Sequence, residues 1–206
     1  MAIIETITRK LKDDLATFKL IERIIAIICI FIPVILRAAD VGNNIWRPSI
    51  SDYVYMRNSQ VFGMMLCMAA MLFIANGAVF FKQEEKLNLS RRSKWYNIGL
   101  GLSLLGVIIF PYKEFGVPHF ACAMLFFAGN AWVTGVTIHS KRFKPLRIIL
   151  AILTIVFLAL YLINTYLLKA QWLNWLTLLD AEWFSLATIG IHMILESMAL
   201  GRNLDI

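Results

Sequence analysis

The sequence predicts an all-α fold: a polytopic membrane bundle of six transmembrane helices with an N-terminal interfacial amphipathic helix. Three observations predict it. Six separate apolar runs lie near 21–36, 60–81, 97–112, 118–138, 146–168 and 175–199 of the 206 residues. Hydrophobic residues make up 60% of the chain and mean hydropathy is +0.72, against roughly 45–50% apolar residues in soluble domains. Basic residues alternate in abundance from one inter-run loop to the next. A hydrocarbon core about 30 Å thick needs roughly 20 helical residues. Only helices or closed barrels satisfy every backbone donor and acceptor inside it. The runs are continuous rather than alternating in period two, so helices are expected.

The chain divides into 1–19, an amphipathic helix on the cytoplasmic face, 20–200, the six-helix domain, and 201–206, a short cytoplasmic tail. In the first part Ile3, Ile7, Leu11, Leu15 and Phe18 recur every three or four residues, while Arg9, Lys10, Lys12 and Asp13 fill other faces. That pattern suits a helix lying on the inner leaflet, or one docked on a partner or neighbouring subunit. The first apolar run follows a basic stretch, as in a signal peptide, but Arg37 fits poorly just before the Ala38-Ala39 cleavage-like pair, so the run is read as a span. Tyr112 to Val117 is a very short loop, which makes the third and fourth helices antiparallel neighbours. Gly99, Ser103 and Gly106 on one, with Ala131 and Gly135 on the other, allow close backbone approach, within one bundle or between copies. Trp46, Tyr53, Tyr55, Tyr112, Trp172 and Trp175 collect at the outer boundary, and Trp95 and Tyr96 at the inner one. Asn76, Asn130 and Asn164 at mid-span are expected to form interhelical hydrogen bonds. Cys29, Cys67 and Cys122 fall inside spans and read as small apolar packing residues.

The formal charge of +7 is a topology signal. Arg9, Lys10, Lys12, Lys19 and Arg23 precede or open the first span. Lys82, Lys86, Arg91, Arg92 and Lys94 fill the second loop, and Lys141, Arg142, Lys144 and Arg147 the fourth. The alternate loops hold Arg37, Arg47 and Arg57, then Lys113, then Lys169. This asymmetry puts both termini in the cytoplasm, and placement in a bacterial inner membrane follows from it together with the resemblance below. The expected partners are membrane lipids, a homo-oligomer, or a cytoplasmic protein held by the basic loops; nucleic acid is not expected. No cofactor and no metal is expected, since no CxxC, Cys/His or HExxH spacing occurs. There is also no mid-span lysine in the last helix for a Schiff base, no arginine ladder, no filter-like glycine segment and no phosphate-binding loop. No internal repeat supports an inverted-repeat transporter.

Polar groups near the span ends are the places for chemistry, because desolvating them without a partner is costly. Ser49, Ser51, Asp52, Tyr53 and Arg57 in the first outer loop, His119 opening the fourth span, and Asp180 and Glu182 opening the sixth all belong to the outer leaflet by topology. They form a candidate ligand-binding cluster. Ser51, Asp52 and His119 are also the candidates for a serine–acid–histidine hydrolase, a reading that requires a nucleophile–base contact in space. In the inner half of the last span His192 and Glu196 stand four residues apart on one helix face, a polar pair.

The run Pro48-Ser49-Ile50-Ser51-Asp52-Tyr53 leading into Val61-Phe62-Gly63-Met64-Met65-Leu66-Cys67, followed by Phe110-Pro111 and Pro118-His119-Phe120, resembles a pattern in bacterial six-helix membrane proteins. In outline it is similar to the damage-regulated autophagy modulator (DRAM)-like family. The resemblance covers roughly 47–127 and more loosely the last span, where Glu182 matches an acidic residue. Asn58 stands where an acidic residue is usual. The resemblance implies six helices and an outer polar cluster, and no activity. A more distant similarity is to lipid amidases of the alkaline ceramidase type. Those need His-x-x-x-His where this chain has His192-Met-Ile-Leu-Glu196. The functions expected are lipid or partner binding without catalysis, or else an oligomeric pore or membrane-perturbing effector, or an intramembrane lipid hydrolase.

Overall fold

A computed structural model describes residues 2–43, 45–83, 95–136, 144–168 and 175–199. The basic loops at 84–94 and 137–143, Trp172 and the tail at 201–206 lie outside them, as do the side chains ahead of Leu15. Among the described residues every regular element is helical and there are no strands. The α-helices are α1 (Ala2–Ala39), α2 (Ser59–Gln83), α3 (Tyr96–Ile109), α4 (Gly116–Val136), α5 (Lys144–Leu162) and α6 (Leu178–Ala199). A 3₁₀ turn spans Ser51–Tyr55, and α5 runs on into a π-helical turn, Ile163–Leu168.

Each helix packs against its neighbours in sequence, and α6 returns to pack extensively against α1, so the six form a closed ring. Contacts between α4 and α6 cross its middle. α1, α3 and α5 end, and α2, α4 and α6 begin, at one end of the ring, the site end. Proline fixes two of these boundaries. Pro111, lacking an N–H, follows the last turn of α3, whereas Pro118 sits in the first turn of α4, where no intrahelical acceptor is required. After α1 the chain turns through Gly42 at φ 89°, a left-handed conformation that glycine adopts without a Cβ clash.

Among the described residues, four helical segments are long and apolar enough to cross a membrane: Ser59–Ala78, Gly116–Val136, Pro145–Tyr166 and Leu178–Met198. This supports an integral membrane protein. α3 is apolar but has only 14 residues, about 21 Å of helix. In α1, Glu22, Arg23 and Arg37 confine the apolar stretch to less than a full span. The segment expected to lie on the leaflet is continuous with the first apolar run in one unbroken 38-residue helix, through Pro33. On that helix Leu15 and Phe18 are buried, Phe18 completely, rather than presented outward.

The small-residue stripe behaves differently from expectation. A Cβ on Gly99 would meet nothing within 4 Å, and the Ser103 hydroxyl donates to the Gly99 carbonyl on an exposed face. The close approach of α3 to α2 occurs instead at Gly101, where a Cβ would stand 2.5 Å from the Ala70 carbonyl oxygen and 2.6 Å from Ile74 Cγ1. Gly106 does face α4, against Cys122. Of the mid-span amides, Asn76 makes the interhelical bond expected, accepting from Asn97 Nδ2 at 2.7 Å. Asn130 donates to the Phe126 carbonyl of its own helix, and Asn164 Oδ1 is buried without a hydrogen bond among the described residues. A hydroxyl ladder joins α5 to α6. Thr154 and Thr188 hydroxyls lie 2.8 Å apart, and Ser185 donates to the Thr154 carbonyl at 2.7 Å.

Candidate functional site

The loop between α1 and α2 is shaped by short-range polar contacts. Ser49 Oγ accepts from the Asp52 N–H at 3.1 Å and lies 3.2 Å from Ser51 Oγ, which winds Ser51–Tyr55 into its 3₁₀ turn. Two bonds clip this turn to the start of α6. Leu179 N–H donates to the Pro48 carbonyl at 2.8 Å, and Ile50 N–H donates to Glu182 Oε2 at 2.6 Å. Glu182 is 9% exposed, so this hydrogen bond is made away from solvent, where the low local dielectric strengthens it.

A second set of contacts surrounds Asp52 on the other side of the turn. Arg47 grips Asp40 with Nε at 2.7 Å and Nη2 at 3.2 Å, and reaches Asp52 Oδ2 with Nη1 at 3.3 Å. Its guanidinium lies over the Tyr53 ring at 5.8 Å. Tyr112 donates its hydroxyl to Asp52 Oδ1 at 2.6 Å, joining the loop before α4 to the loop before α2. The Arg47 hydrogen bond holds the Asp40 carboxyl below the usual carboxylate range, against the opposing effect of burial. Burial first, and then the bond to Asp52, push the Tyr112 phenol up to about 12. Tyr55 donates to Glu114 at 2.7 Å, with the Lys113 ammonium 4.0 Å from its ring centroid.

His119 is held from the α3 side. Its Nδ1 is 2.7 Å from the Phe110 carbonyl, which can only accept, so Nδ1 carries the proton. In the neutral ring Nε2 is then an acceptor, and it makes no hydrogen bond among the described residues. His119, Ser51 and Glu182 together line two adjoining hollows. One is a cleft of about 590 Å³ bounded by α4, α5, α6 and the first loop, with exposed Phe120 and Tyr166 on its wall. The other, about 50 Å³, lies deeper among Ile28, Cys29, Leu66, Phe73 and Phe126. The cleft volume falls in the range of small-molecule sites, which are mostly apolar with a few placed polar groups.

Ser49, Ser51, His119 and Glu182 thus meet at the cleft. Asp52 and Tyr53 do not line it, because the 3₁₀ turn directs them into the Arg47 network and the core. Arg57 is exposed and joins neither group. Asp180 is part of a helix cap: its Oδ2 accepts from Thr177 N–H at 3.0 Å and Thr177 hydroxyl at 2.7 Å, while Thr177 Oγ1 accepts from Asp180 N–H. Ser51 and His119 share no hydrogen bond, so the hydrolase arrangement lacks its nucleophile–base contact in this geometry. His192 Nε2 and Glu196 Oε1 are 3.4 Å apart and buried, far along α6 from the cleft, with Arg147 in electrostatic reach of Glu196. Among the described residues no group of three His, Cys, Asp or Glu could hold a metal. The contacts of Tyr112, Asp40 and Asn97 have no signature in the sequence. Only the Thr-x-x-Asp cap is legible there as a motif.

The sequence model of a family described as a family of unknown function, DUF7103, matches residues 31–197. The chain belongs to this family. The matched range begins within α1 and ends within α6, so the DUF7103 region contains the larger cleft, the Arg47 network and most of the lining of the deeper hollow, whose Ile28 and Cys29 precede it. No curated protein and no solved structure matches.

Proposed function

We propose that this DUF7103 member is a lipid-binding membrane protein without catalytic activity, whose cleft between α4, α5 and α6 takes an acyl chain beneath a polar head. The observation that carries the proposal is the wall of the 590 Å³ cleft. Ala123, Met124, Phe127, Leu158 and Leu162 supply its apolar part, and Ser49, Ser51, His119 and Glu182 gather at the site end. An amphiphile has the same division. All six helices cross the membrane in this reading, with α1 and α3 carried by the ring packing despite their shorter apolar lengths. In this reading the bias of basic residues, with the resemblance to bacterial six-helix membrane proteins, favours both termini in the cytoplasm of a bacterial inner membrane and the cleft in the outer leaflet.

The test is native mass spectrometry of the protein released in mild detergent, beside an Ala123→Phe variant whose ring fills the cleft. A lipid-mass adduct on the parent protein that is lost from the variant is expected. An adduct retained equally by both, or none on either, would overturn the assignment to this cleft.

A further inference from the structure

The polar end of the cleft restricts the head it accepts. Glu182 is nine-tenths buried, and only Oε2 is engaged, by the Ile50 N–H at 2.6 Å. Oε1 makes no hydrogen bond among the described residues, and the residue lines both hollows. His119 Nε2 is left as an acceptor by the bond from Nδ1 to Phe110. Among the described residues Ser51 Oγ meets only Ser49 Oγ, and no lysine or arginine lines either hollow. The guanidinium of Arg47, in the same loop as Ser49 and Ser51, is engaged by Asp40 and Asp52, and the Lys113 ammonium lies over Tyr55.

We infer, resting on the lipid-binding reading above, that the cleft selects a long-chain amphiphile whose head donates hydrogen bonds and carries no negative charge, an amine or a hydroxyl rather than a carboxylate or phosphate. An N–H or O–H donor on such a head serves Glu182 Oε1 and His119 Nε2 together. An anionic head would instead be desolvated beside Glu182, with no lysine or arginine among the described lining residues to offset it. Aromatic faces at Tyr161, Tyr166 and Phe120 add a favourable surface for an ammonium head.

Three probes of equal chain length decide it: an alkylamine, a monoacylglycerol and a fatty acid held as its carboxylate. Each is titrated into the delipidated full-length protein in neutral detergent and followed by tryptophan fluorescence or calorimetry. The expected result is amine and monoacylglycerol binding at least tenfold tighter than the fatty acid. In Glu182→Gln the amide keeps an acceptor for Ile50 N–H and adds a donor, so the amine should weaken and the gap to the fatty acid should close. A fatty acid that binds as tightly as the other two overturns the inference and leaves lipid binding standing. Absence of binding by all three to a folded protein overturns lipid binding itself, and selectivity unchanged in a folded Glu182→Gln protein removes Glu182 from the selection.

Discussion

Replacing Gly101 by alanine tests how α2 and α3 are held together. The added methyl would lie 2.5 Å from the Ala70 carbonyl oxygen, 2.6 Å from Ile74 Cγ1 and 3.1 Å from Ile74 N. Ile74 can change rotamer, but a carbonyl and an amide nitrogen belong to the α2 backbone and move only with the helix. Relief therefore requires the two helices to part by roughly half an ångström, and overpacking of this kind costs about 1–3 kcal/mol. Parting them also strains the buried Asn97–Asn76 bond at 2.7 Å, whose full loss would cost about another 1 kcal/mol. Alanine's helix propensity returns at most about 1 kcal/mol. The net expectation is a loss of about 1–3 kcal/mol. Gly99→Ala, two residues away with nothing within 4 Å, keeps the propensity gain without the clash and should be neutral to stabilising by up to about 1 kcal/mol. Reversible unfolding of detergent-solubilised protein, followed by circular dichroism, measures both. A Gly101→Ala protein as stable as the parent, or two variants shifting alike, would refute this account of the α2–α3 contact.

The cap on α6 predicts a loss of about 1 kcal/mol for Thr177→Ala and a similar loss for Asp180→Ala, with the double variant losing less than the sum, since the two residues bond reciprocally; additive losses in the same unfolding assay would contradict the reciprocal cap. The Tyr112 phenol is raised to about 12 from about 10 in the unfolded chain. Because the folded value is the higher one, its contribution to stability is complete below about pH 10 and is lost as pH rises through about 12. Tyrosinate absorbance should show a late-ionising group that Tyr112→Phe removes; an unchanged late step would assign it elsewhere.

The helices are readable because their signal is carried by many residues at once: a continuous apolar run survives any single exception. Their joints are harder. Nothing in the spacing of Ile3 to Phe18 distinguishes a helix lying beside a span from one continuous with it, since both need the same period. Gly99 and Gly101 are equivalent as letters, and only the rotation of α3 against α2 decides which meets a carbonyl. At the cleft, topology alone brings Ser51, His119 and Glu182 to one end of the bundle. It does not separate Ser51 from Asp52, adjacent residues that a 3₁₀ turn sends to different surroundings. Position groups Asp180 with the cluster, although Thr177-Leu-Leu-Asp180 already spells a cap.

The clip between the first loop and α6 also bears on how the protein is made. Ile50 leaves the ribosome more than a hundred residues before Glu182, and Pro48 well before Leu179, yet these pairs fasten one side of the cleft. Ile30, likewise early, waits for the indole of Trp183. Five helices are synthesised before any of these acceptors and donors meet. Until the sixth arrives, α1 has an open flank and the amide of Ile50 has no carboxylate. The cleft is therefore the last part of the molecule to exist, so stalled or truncated chains, however well inserted, would emerge without it.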